Sequence, residues 1–302
     1  MESLSSIIKK KKPGYQKKIV LKITKTTLIV LGLALLVIIF VFPVLWMVSN
    51  SLKSNADINE QMSSLQTFFP DFAKIGTWFD NYVNLFNQFD NFGRSIVNSI
   101  IYCVITIVMV LLINSFAGYA LARFKFPGSH SIMTTIVLLM IIPVETSVVP
   151  LYVILYRLGL LTESTNIIGY LLPGFCSLMY IWMFKQYFEG MPVEIEEAAR
   201  IDGCSRIGIY FRMILPLSLP IFATVAIFTF MGQWNEYIMA QLIFVDPAKQ
   251  PLQVYLQLVN TFQPKDLGMT MAALTFSTIP IALVYIFAQR YIVEGVSFSG
   301  LK

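Results

Sequence analysis

The sequence predicts an all-α, polytopic membrane protein with six transmembrane helices. The first observation is the composition, because 56% of the 302 residues are hydrophobic, 13% are charged, and the mean hydropathy is +0.70. Soluble domains carry roughly a quarter charged residues. The second observation is that long apolar stretches recur along the chain and alternate with shorter polar ones. Together they predict a single helical bundle in a bilayer, without a separate soluble domain.

Six apolar stretches reach the ~20 residues that an α-helix needs to cross ~30 Å of hydrocarbon at ~1.5 Å per residue. They cover residues 26–48, 96–122, 131–155, 166–188, 217–244 and 268–288. The first is too long for a cleaved signal peptide and ends without a small-residue cleavage site, so we expect it to remain as a span. The chain then divides into a basic N-terminus (1–25), a transmembrane domain (26–290) and a tail (291–302).

The distribution of positive charge predicts the orientation, since lysine and arginine are retained on the cytoplasmic side. With the N-terminus inside, most of the 22 Lys and Arg residues are cytoplasmic. Both termini then lie in the cytoplasm of a multi-pass protein of the cell membrane. The loops 50–95 and 245–267 are external, and the loop 189–216 is cytoplasmic. Both external loops are rich in Phe, Tyr, Asn, Asp and Gln, so we expect each to fold as a polar cap. The lysine run at 9–12 is interpreted as a topology and lipid-headgroup signal, and the net charge of +5 requires no nucleic acid.

Reactive side chains do not form a chemical centre in this sequence. Cys103 and Cys176 lie inside predicted spans and Cys204 in a cytoplasmic loop, so no disulfide is expected. His130 stands alone in a short loop, and metal-ligand spacing is absent. Without a nucleophile, base and orienting group, a membrane enzyme is not predicted. A secondary transporter or channel would predict internal symmetry, and we find no convincing repeat.

The cytoplasmic loop 189–216 carries the local signals of a short helix. Pro192 suits a first helical position, the glutamates within 194–197 favour the positive N-terminal end, and Gly203 suits the left-handed residue that ends a helix. We therefore expect a capped helix of about three turns. A second helix is expected to begin at the N-cap Ser205 and to run to Pro216.

Two alanines in the first of these helices, Ala198 and Ala199, would offer a small surface that another protein can approach closely. A flexible loop would be enough to join two spans, so a rigid helix suggests docking. An ordinary surface helix that connects two spans is the alternative, and the local signals alone leave it open.

Six residues of this loop stand at the spacing of a known signature. They are Glu197, Ala198, Ala199, Gly203, Leu215 and Pro216. The set resembles the EAA signature of ABC importer permeases. Met213 stands where the signature has isoleucine, a conservative change between apolar residues of similar size.

Segments over almost the whole chain, from about residue 28 to the end, resemble more specifically the second permease subunit of maltose-type carbohydrate importers. They are 51–54, 81–82, 98–99, 117–124, 126–128, 142–143, 150–152, 158–160, 234–236 and 289–295. The resemblance implies a type I ABC importer permease fold and a subunit that forms half of the translocation pathway for a carbohydrate, which we expect to be an oligosaccharide. An ABC importer permease for amino acids, peptides or phosphate is the alternative.

The resemblance also implies the partners. Family members form a heterodimer of two homologous permeases on two cytoplasmic ATPase subunits, which bind ATP and Mg, and an extracellular solute-binding protein delivers the substrate. This chain has no phosphate loop, and no cofactor is expected in it. By similarity, the ATPase-coupling residues are Glu197, Ala198, Ala199, Arg200, Asp202 and Gly203. The tail 295–302 is similar to a family tail that reaches the ATPase, with a frayed terminus as the alternative.

Two acids, Glu145 and Glu236, lie inside apolar spans, where an unpaired charge costs at least ~2.5 kcal/mol. Each needs a cavity, a partner or neutralisation. Both fall in the outer half of their spans, where a sugar arriving from outside would first be held. Gln233, Trp234 and Asn235 add amides and an aromatic face. These five residues are candidates for the substrate pathway or its gate, and bracing of the gate or the partner permease is the alternative.

Overall fold

The computed structural model describes the backbone of residues 13–299 and the side chains of residues 21–289. Its secondary structure is helical throughout that part of the chain, which confirms the all-α fold class. The lysine run at 9–12 and the last three residues lie outside the described residues. The side chains of the tail also lie outside them, so the prediction of a tail contact with the ATPase stays a prediction.

The helices are introduced here in chain order. They are α1 (Pro13–Ser51), α2 (Asn55–Gln61), α3 (Asp80–Gln88), α4 (Phe92–Arg123), α5 (Ser129–Leu139), α6 (Val148–Arg157), α7 (Asn166–Leu171), α8 (Leu178–Glu189), α9 (Glu194–Ile201), α10 (Arg206–Ile209), α11 (Leu215–Leu217), α12 (Leu219–Trp234), α13 (Ile238–Ile243), α14 (Leu252–Thr261) and α15 (Leu267–Ser299). Short 3₁₀ turns join several of them, and a π-helical turn occupies Tyr210–Ile214.

Four segments in the described part of the chain are long and apolar enough to cross a membrane. They are Leu21–Ser51, Phe92–Arg123, Asn166–Glu189 and Leu267–Gln289. Two further pairs, Ser129–Leu139 with Val144–Arg157 and Arg206–Leu217 with Leu219–Trp234, qualify when each pair is taken together, and they are bent by 95° and 78°. Counting each bent pair as one span gives the six that the sequence predicts.

The third predicted span, 131–155, is not a continuous helix. Helix α5 ends at Leu139, and the chain is extended at Pro143 before a 3₁₀ turn leads into α6. Proline has no amide hydrogen to donate and disfavours helical backbone in the residue before it, which explains a break at this point. The third predicted span is therefore a pair of helices that meet at a bend and not one continuous helix.

The fifth predicted span, 217–244, also has different bounds. Helix α12 ends at Trp234, Asn235 is its C-cap, and a separate helix, α13, starts at Ile238. At its other end α12 meets the preceding segment at an angle of 78°, next to Ser218. The loop 189–216 and this span are therefore joined by a corner and not by a straight helix.

Helix α4 lies at the centre of the bundle and packs on both α8 and α12. A side-chain carbon added at Gly118 would lie 2.6 Å from Cβ of Phe184 and 2.9 Å from the backbone nitrogen of Lys185. The two backbones can therefore approach this closely because residue 118 has no side chain, as in other close contacts between membrane helices.

The fourth span is interrupted between α7 and α8, at the 3₁₀ turn Leu172–Phe175. Backbone groups released by such a break have no water to bind in hydrocarbon. The buried side chain of Asn114 replaces the missing partners, because Nδ2 donates to the carbonyl of Phe175 (2.9 Å) and Oδ1 accepts from the N–H of Ser177 (2.8 Å). Helix α4 thus holds the interrupted span together.

The loop that follows α1 is folded and not extended. Asn81 on α3 donates to the carbonyls of Ser51 (2.8 Å) and Lys53 (2.7 Å), which fixes α3 against the end of α1. Lys74 and Asp57 form an ion pair at 2.6 Å, and the hydrogen bond from Lys74 holds the pKa of Asp57 below its ordinary value. These contacts agree with the prediction that this loop folds as a cap.

The loop 245–267 was also expected to be a polar cap, and that expectation was incomplete. It contains α14, whose apolar residues are buried in the same cluster as Trp234. They include Leu252, Tyr255 and Val259, which are spaced to lie on one face of a helix. The helix is too short to register as a span, which is why hydropathy alone assigned it to a loop.

The part of helix α1 that precedes Trp46 is largely exposed, whereas the end of the helix is buried. Every side chain from residue 21 to residue 45 is exposed, and most of these residues are apolar. The helix touches α15 and the turn Leu65–Phe68. Most of the surface of α1 is therefore available to lipid or to another apolar partner.

Candidate functional site

The helix predicted in the loop 189–216 is present as α9, with different bounds. It begins at Glu194, two residues after Pro192, because the first hydrogen bonds run from the N–H groups of Glu196 and Glu197 to the carbonyl of Val193. It has eight residues and is therefore shorter than the three turns expected. Gly203 has φ +81°, which is the left-handed conformation predicted for the end of this helix.

Helix α9 is amphipathic, with one face against the bundle and the other in solvent. Glu196 and Ala199 are 1% and 2% exposed, and their spacing of three places them on one face of the helix. The remaining residues of this region form an exposed surface, which we call the docking surface: Glu197, Ala198, Arg200, Ile201, Asp202 and Gly203. Ile201 is 87% exposed, an unusual environment for a large apolar side chain.

The structure corrects the prediction for Ala199. This residue was expected to share a docking surface with Ala198, but it packs in the interior cluster that contains Phe188 and Ile209. Consecutive residues of a helix point about 100° apart, so adjacent alanines cannot both lie on the centre of one face. Ala198 alone is on the exposed side.

Glu196 forms a buried network with the end of α4. Its Oε1 lies 2.6 Å from Nε of Arg123, and its Oε2 accepts a hydrogen bond of 3.0 Å from the hydroxyl of Tyr119. Nη2 of Arg123 also donates to the carbonyl of Met191 (2.9 Å). Nη2 of Arg200 lies 3.9 Å from Oε2. We call Tyr119, Arg123 and Glu196 the latch.

Sequence reasoning did not identify the latch. Arg123 was counted as a topology signal, and Glu196 was counted as an acid favouring the start of a helix. One signal was available: Tyr119 and Arg123 are four residues apart in α4, so they share a face at the end where the loop returns. The partner of that face could not be found without the fold.

The second half of the loop also rests on α4. Ser205 caps α10 as predicted, because its hydroxyl accepts from the N–H of Gly208 (3.1 Å). The guanidinium of Arg206 lies 5.0 Å from the ring centre of Phe124. Further along, the hydroxyls of Tyr210 and Ser115 are 2.6 Å apart. The loop is therefore held against the bundle at several points and is not free to swing.

At the other candidate region, Glu236 caps a helix. Its Oε1 accepts from the N–H of Met239 (2.8 Å) and its Oε2 from the N–H of Ala240 (3.1 Å), at the start of α13. The hydroxyl of Tyr170 also interacts with this carboxylate. A carboxylate in an apolar span was expected to need a cavity, a partner or neutralisation. For Glu236 the structure shows hydrogen-bond partners.

The neighbours of Glu236 differ in their exposure. Gln233 is fixed between two helices, since Nε2 donates to the hydroxyl of Tyr170 (2.8 Å) and Oε1 accepts from Thr106 (3.3 Å). Asn235 is exposed. We refer to residues 233–236 as the 233–236 cluster.

Trp234 does not provide the aromatic face that was expected for sugar stacking. It is 1% exposed, its Nε1 donates to the carbonyl of Ser277 (3.2 Å), and its ring stacks on Phe230. Because its ring lies in the core between helices, it supports the cluster from behind. That part of the prediction is corrected, whereas a role in the gate is left untested.

Glu145 lies apart from this cluster in the contacts that the structure describes. It sits in the 3₁₀ turn Val144–Ser147, at the 95° bend, and is exposed. No hydrogen bond among the described residues joins it to the 233–236 cluster. The five candidate pathway residues are therefore not brought together by this chain alone.

The chain matches known transport proteins along most of its length. The family model for the binding-protein-dependent transport system inner membrane component matches residues 114–298. The arabinooligosaccharides transport system permease protein AraQ of Halalkalibacterium halodurans is 28% identical, over 91% of this chain and 96% of that protein. The diacetylchitobiose uptake system permease protein NgcG of Streptomyces coelicolor is 32% identical, over 86% of this chain and 83% of that protein.

The fold is also similar to a solved structure. A chain of a bacterial ABC transporter involved in the import of the acidic polysaccharide alginate superposes with a TM-score of 0.76 at 24% identity, covering 89% of this chain and 96% of that chain. The type I ABC importer permease fold that the sequence predicts is thereby confirmed.

We predict that Glu236→Ala lowers the thermal unfolding midpoint of the purified protein. Two N–H groups at the start of α13 lose their acceptors, which costs about 1 kcal/mol or more. Glu236→Gln keeps one acceptor oxygen and should lower the midpoint less. Gln241→Ala, an exposed change within α13, is the matched control. Equal midpoints for the Glu236→Ala and Gln241→Ala proteins would contradict the capping role.

Proposed function

Because the chain belongs to the family of binding-protein-dependent transport system inner membrane components, we propose that it forms half of the translocation pathway of an ATP-driven importer for a carbohydrate. It is a multi-pass membrane protein and a transport component, not an enzyme. The observation that carries the coupling part of the proposal is the rigid helix α9, whose inner face is bound to α4 and whose outer face is exposed. A displacement applied to the outer face of such a helix can be transmitted to the bundle through its inner face.

The proposed complex contains a second, homologous permease and two cytoplasmic ATPase subunits that bind ATP and Mg. An extracellular solute-binding protein delivers the substrate. In this arrangement the present chain needs no cofactor of its own. Hydrolysis takes place in the ATPase subunits, and their movement reaches this chain through the docking surface.

The docking surface suits contact with a protein cleft. Ile201 would act as a central apolar anchor, since a large exposed side chain gains most when a pocket covers it. Glu197, Arg200 and Asp202 surround it with charges that would select the partner and its orientation. Ala198 leaves room for the ATPase backbone to approach. Ala199 is reassigned to the inner face, where it allows α9 to lie close to the bundle.

We predict that a tryptophan at each of the two alanines of the signature has a different effect. Ala198→Trp should leave the amount of protein in the membrane unchanged but abolish retention of the ATPase, because the indole would stand on the docking surface. Ala199→Trp should reduce the amount of folded protein, because forcing a large ring into a packed interior costs about 1–3 kcal/mol or more. The measurements are membrane levels and co-purification of the ATPase subunits.

Ile201→Ser supplies a second test of the same surface without added bulk. It should weaken retention of the ATPase at normal membrane levels. Wild-type retention in both the Ala198→Trp and Ile201→Ser proteins would mean that α9 is a connector, and the coupling role would be withdrawn.

The relatives named above transport arabinooligosaccharides and diacetylchitobiose, so we propose an oligosaccharide as the substrate class. The exposed side chains of Glu145 and Asn235, at two separate places in this chain, offer a carboxylate and an amide that can bind sugar hydroxyls, and the half-buried Gln233 adds a second amide next to Asn235. Glu236 and Trp234 would then hold the backbone of the 233–236 cluster in place. A second permease could bring a facing set of groups to the same pathway.

We predict that Asn235→Ala and Glu145→Gln each raise the transport KM for the sugar. Loss of one hydrogen bond corresponds to an increase of about two- to tenfold. ATPase retention should not change, since neither residue belongs to the docking surface on α9. Uptake into proteoliposomes with loaded binding protein is the measurement, and Gln241→Ala is again the control. An unchanged KM in both variants would remove these residues from the pathway.

We also propose that both termini are cytoplasmic, with the loop after α1 and helix α14 on the outside. In a version without the three native cysteines, a cysteine at Glu60 or Gln257 should react with an impermeant maleimide added to intact cells. One at His130 should react only after the membrane is opened. All three positions are exposed, so access differs by side of the membrane. Equal labelling in intact cells would reject this orientation.

A further inference from the structure

The carboxylate of Glu196 is buried more deeply than stability alone requires. It is 1% exposed, and burial of a charge is costly unless the charge is paired and its oxygens are hydrogen-bonded. Both oxygens have partners, because Arg123 binds Oε1 and Tyr119 donates to Oε2. Replacing a buried ion pair by apolar residues often leaves stability unchanged, so the pair has to be explained in another way.

Arg123 joins two parts of the loop to one point on α4. It is the last residue of that helix, and its side chain is 7% exposed. Nε contacts Glu196 at 2.6 Å, and Nη2 donates to the carbonyl of Met191, which precedes α9. A guanidinium can make both contacts at once because its donors have a fixed, planar arrangement, whereas an ammonium group presents a single point charge.

Helix α4 then extends from the latch to the 233–236 cluster. Along it lie the close contact of Gly118 with α8, the contacts of Asn114 with the interrupted fourth span, and the hydrogen bond from Thr106 to Gln233. Thr106 and Arg123 are separated by roughly 26 Å of helix at ~1.5 Å per residue. A displacement applied to the end of α4 is therefore passed to the cluster through a rigid element and paired side chains.

We propose that the latch is the positioning element that makes α4 move with α9 when the ATPase moves the docking surface. Apolar contacts alone would let α9 slide over the bundle, whereas the directional bonds of Glu196 fix its position. Arg200 also faces this carboxylate, at 3.9 Å, but its side chain is 47% exposed and on the docking side. This inference rests on the proposed function and adds the internal step between the ATPase and the pathway.

The test uses the complete transporter in proteoliposomes, with loaded binding protein and ATP. The double variant Arg123→Met/Glu196→Leu removes both charges, so no unpaired charge stays buried. Arg123→Lys keeps the charge but removes the forked geometry, and Tyr119→Phe removes one hydrogen bond. Three quantities are measured for each: the amount of assembled complex, the rate of ATP hydrolysis, and the sugar transported per ATP hydrolysed.

The double variant should assemble in normal amounts, and its sugar transported per ATP should fall about tenfold, within the range by which coupled sites influence each other. Arg123→Lys should lower the same ratio, because charge alone does not fix α9. Tyr119→Phe should lower it least. The control is Lys185→Met/Glu189→Leu, which removes an ion pair of 2.7 Å within α8 and should leave the ratio unchanged.

A wild-type ratio in the double variant would overturn the proposal. A loss of assembled complex that accounts for the whole loss of uptake would overturn it as well, because the latch would then serve folding. If the wild-type chain itself retains no ATPase, the proposed function fails, and this result is distinct from a failure confined to the latch variants.

Discussion

The constraint that shapes this bundle is the need to pair every backbone N–H and C=O group where water is absent. Continuous helices meet it by themselves, but two of the interruptions here do not. At the break in the fourth span, Asn114 supplies one acceptor and one donor; at the start of α13, the carboxylate of Glu236 supplies both acceptors. The first repair joins α4 to the fourth span, whereas the second is local and ties Glu236 to the first turn of α13. Polar residues inside the membrane are therefore structural necessities before they are functional groups.

Helix α4 supplies the first of these repairs and also carries other contacts that hold the bundle together. Gly118 allows close contact with α8, Asn114 bonds to the interrupted fourth span, and Arg123 binds the loop that contains α9. The contacts are at different depths, so the helix cannot tilt without changing all of them. This explains why the segment 117–124 combines small residues with a tyrosine and an arginine. Each has a separate contact to make.

The sequence was sufficient for features that depend on local chemistry. Hydropathy predicted the spans, Gly203 predicted a left-handed residue, and Ser205 predicted a helix cap. Features that depend on a distant partner were missed or misjudged. Ala199 and Trp234 lie inward because of what packs against them, and the pairing of Glu196 with Arg123 joins residues far apart in the chain. Helix α14 was missed because a short amphipathic helix has no distinct hydropathy signal. The bend after α5 could have been anticipated from Pro143.

The bare surface of α1 bears on how this sequence can change over time. Between residues 21 and 45 every side chain is exposed, so exchanging one aliphatic side chain for another disturbs the packing of this chain much less than the same change would in its interior. Selection for the fold of this chain therefore constrains the length and hydropathy of this stretch but not the identity of its residues. At Gly118 the same selection rejects a single added methyl group. We expect the residues of α1 to vary among apolar types from species to species while α4 keeps Gly118. The two helices of one chain would then change in sequence at different rates.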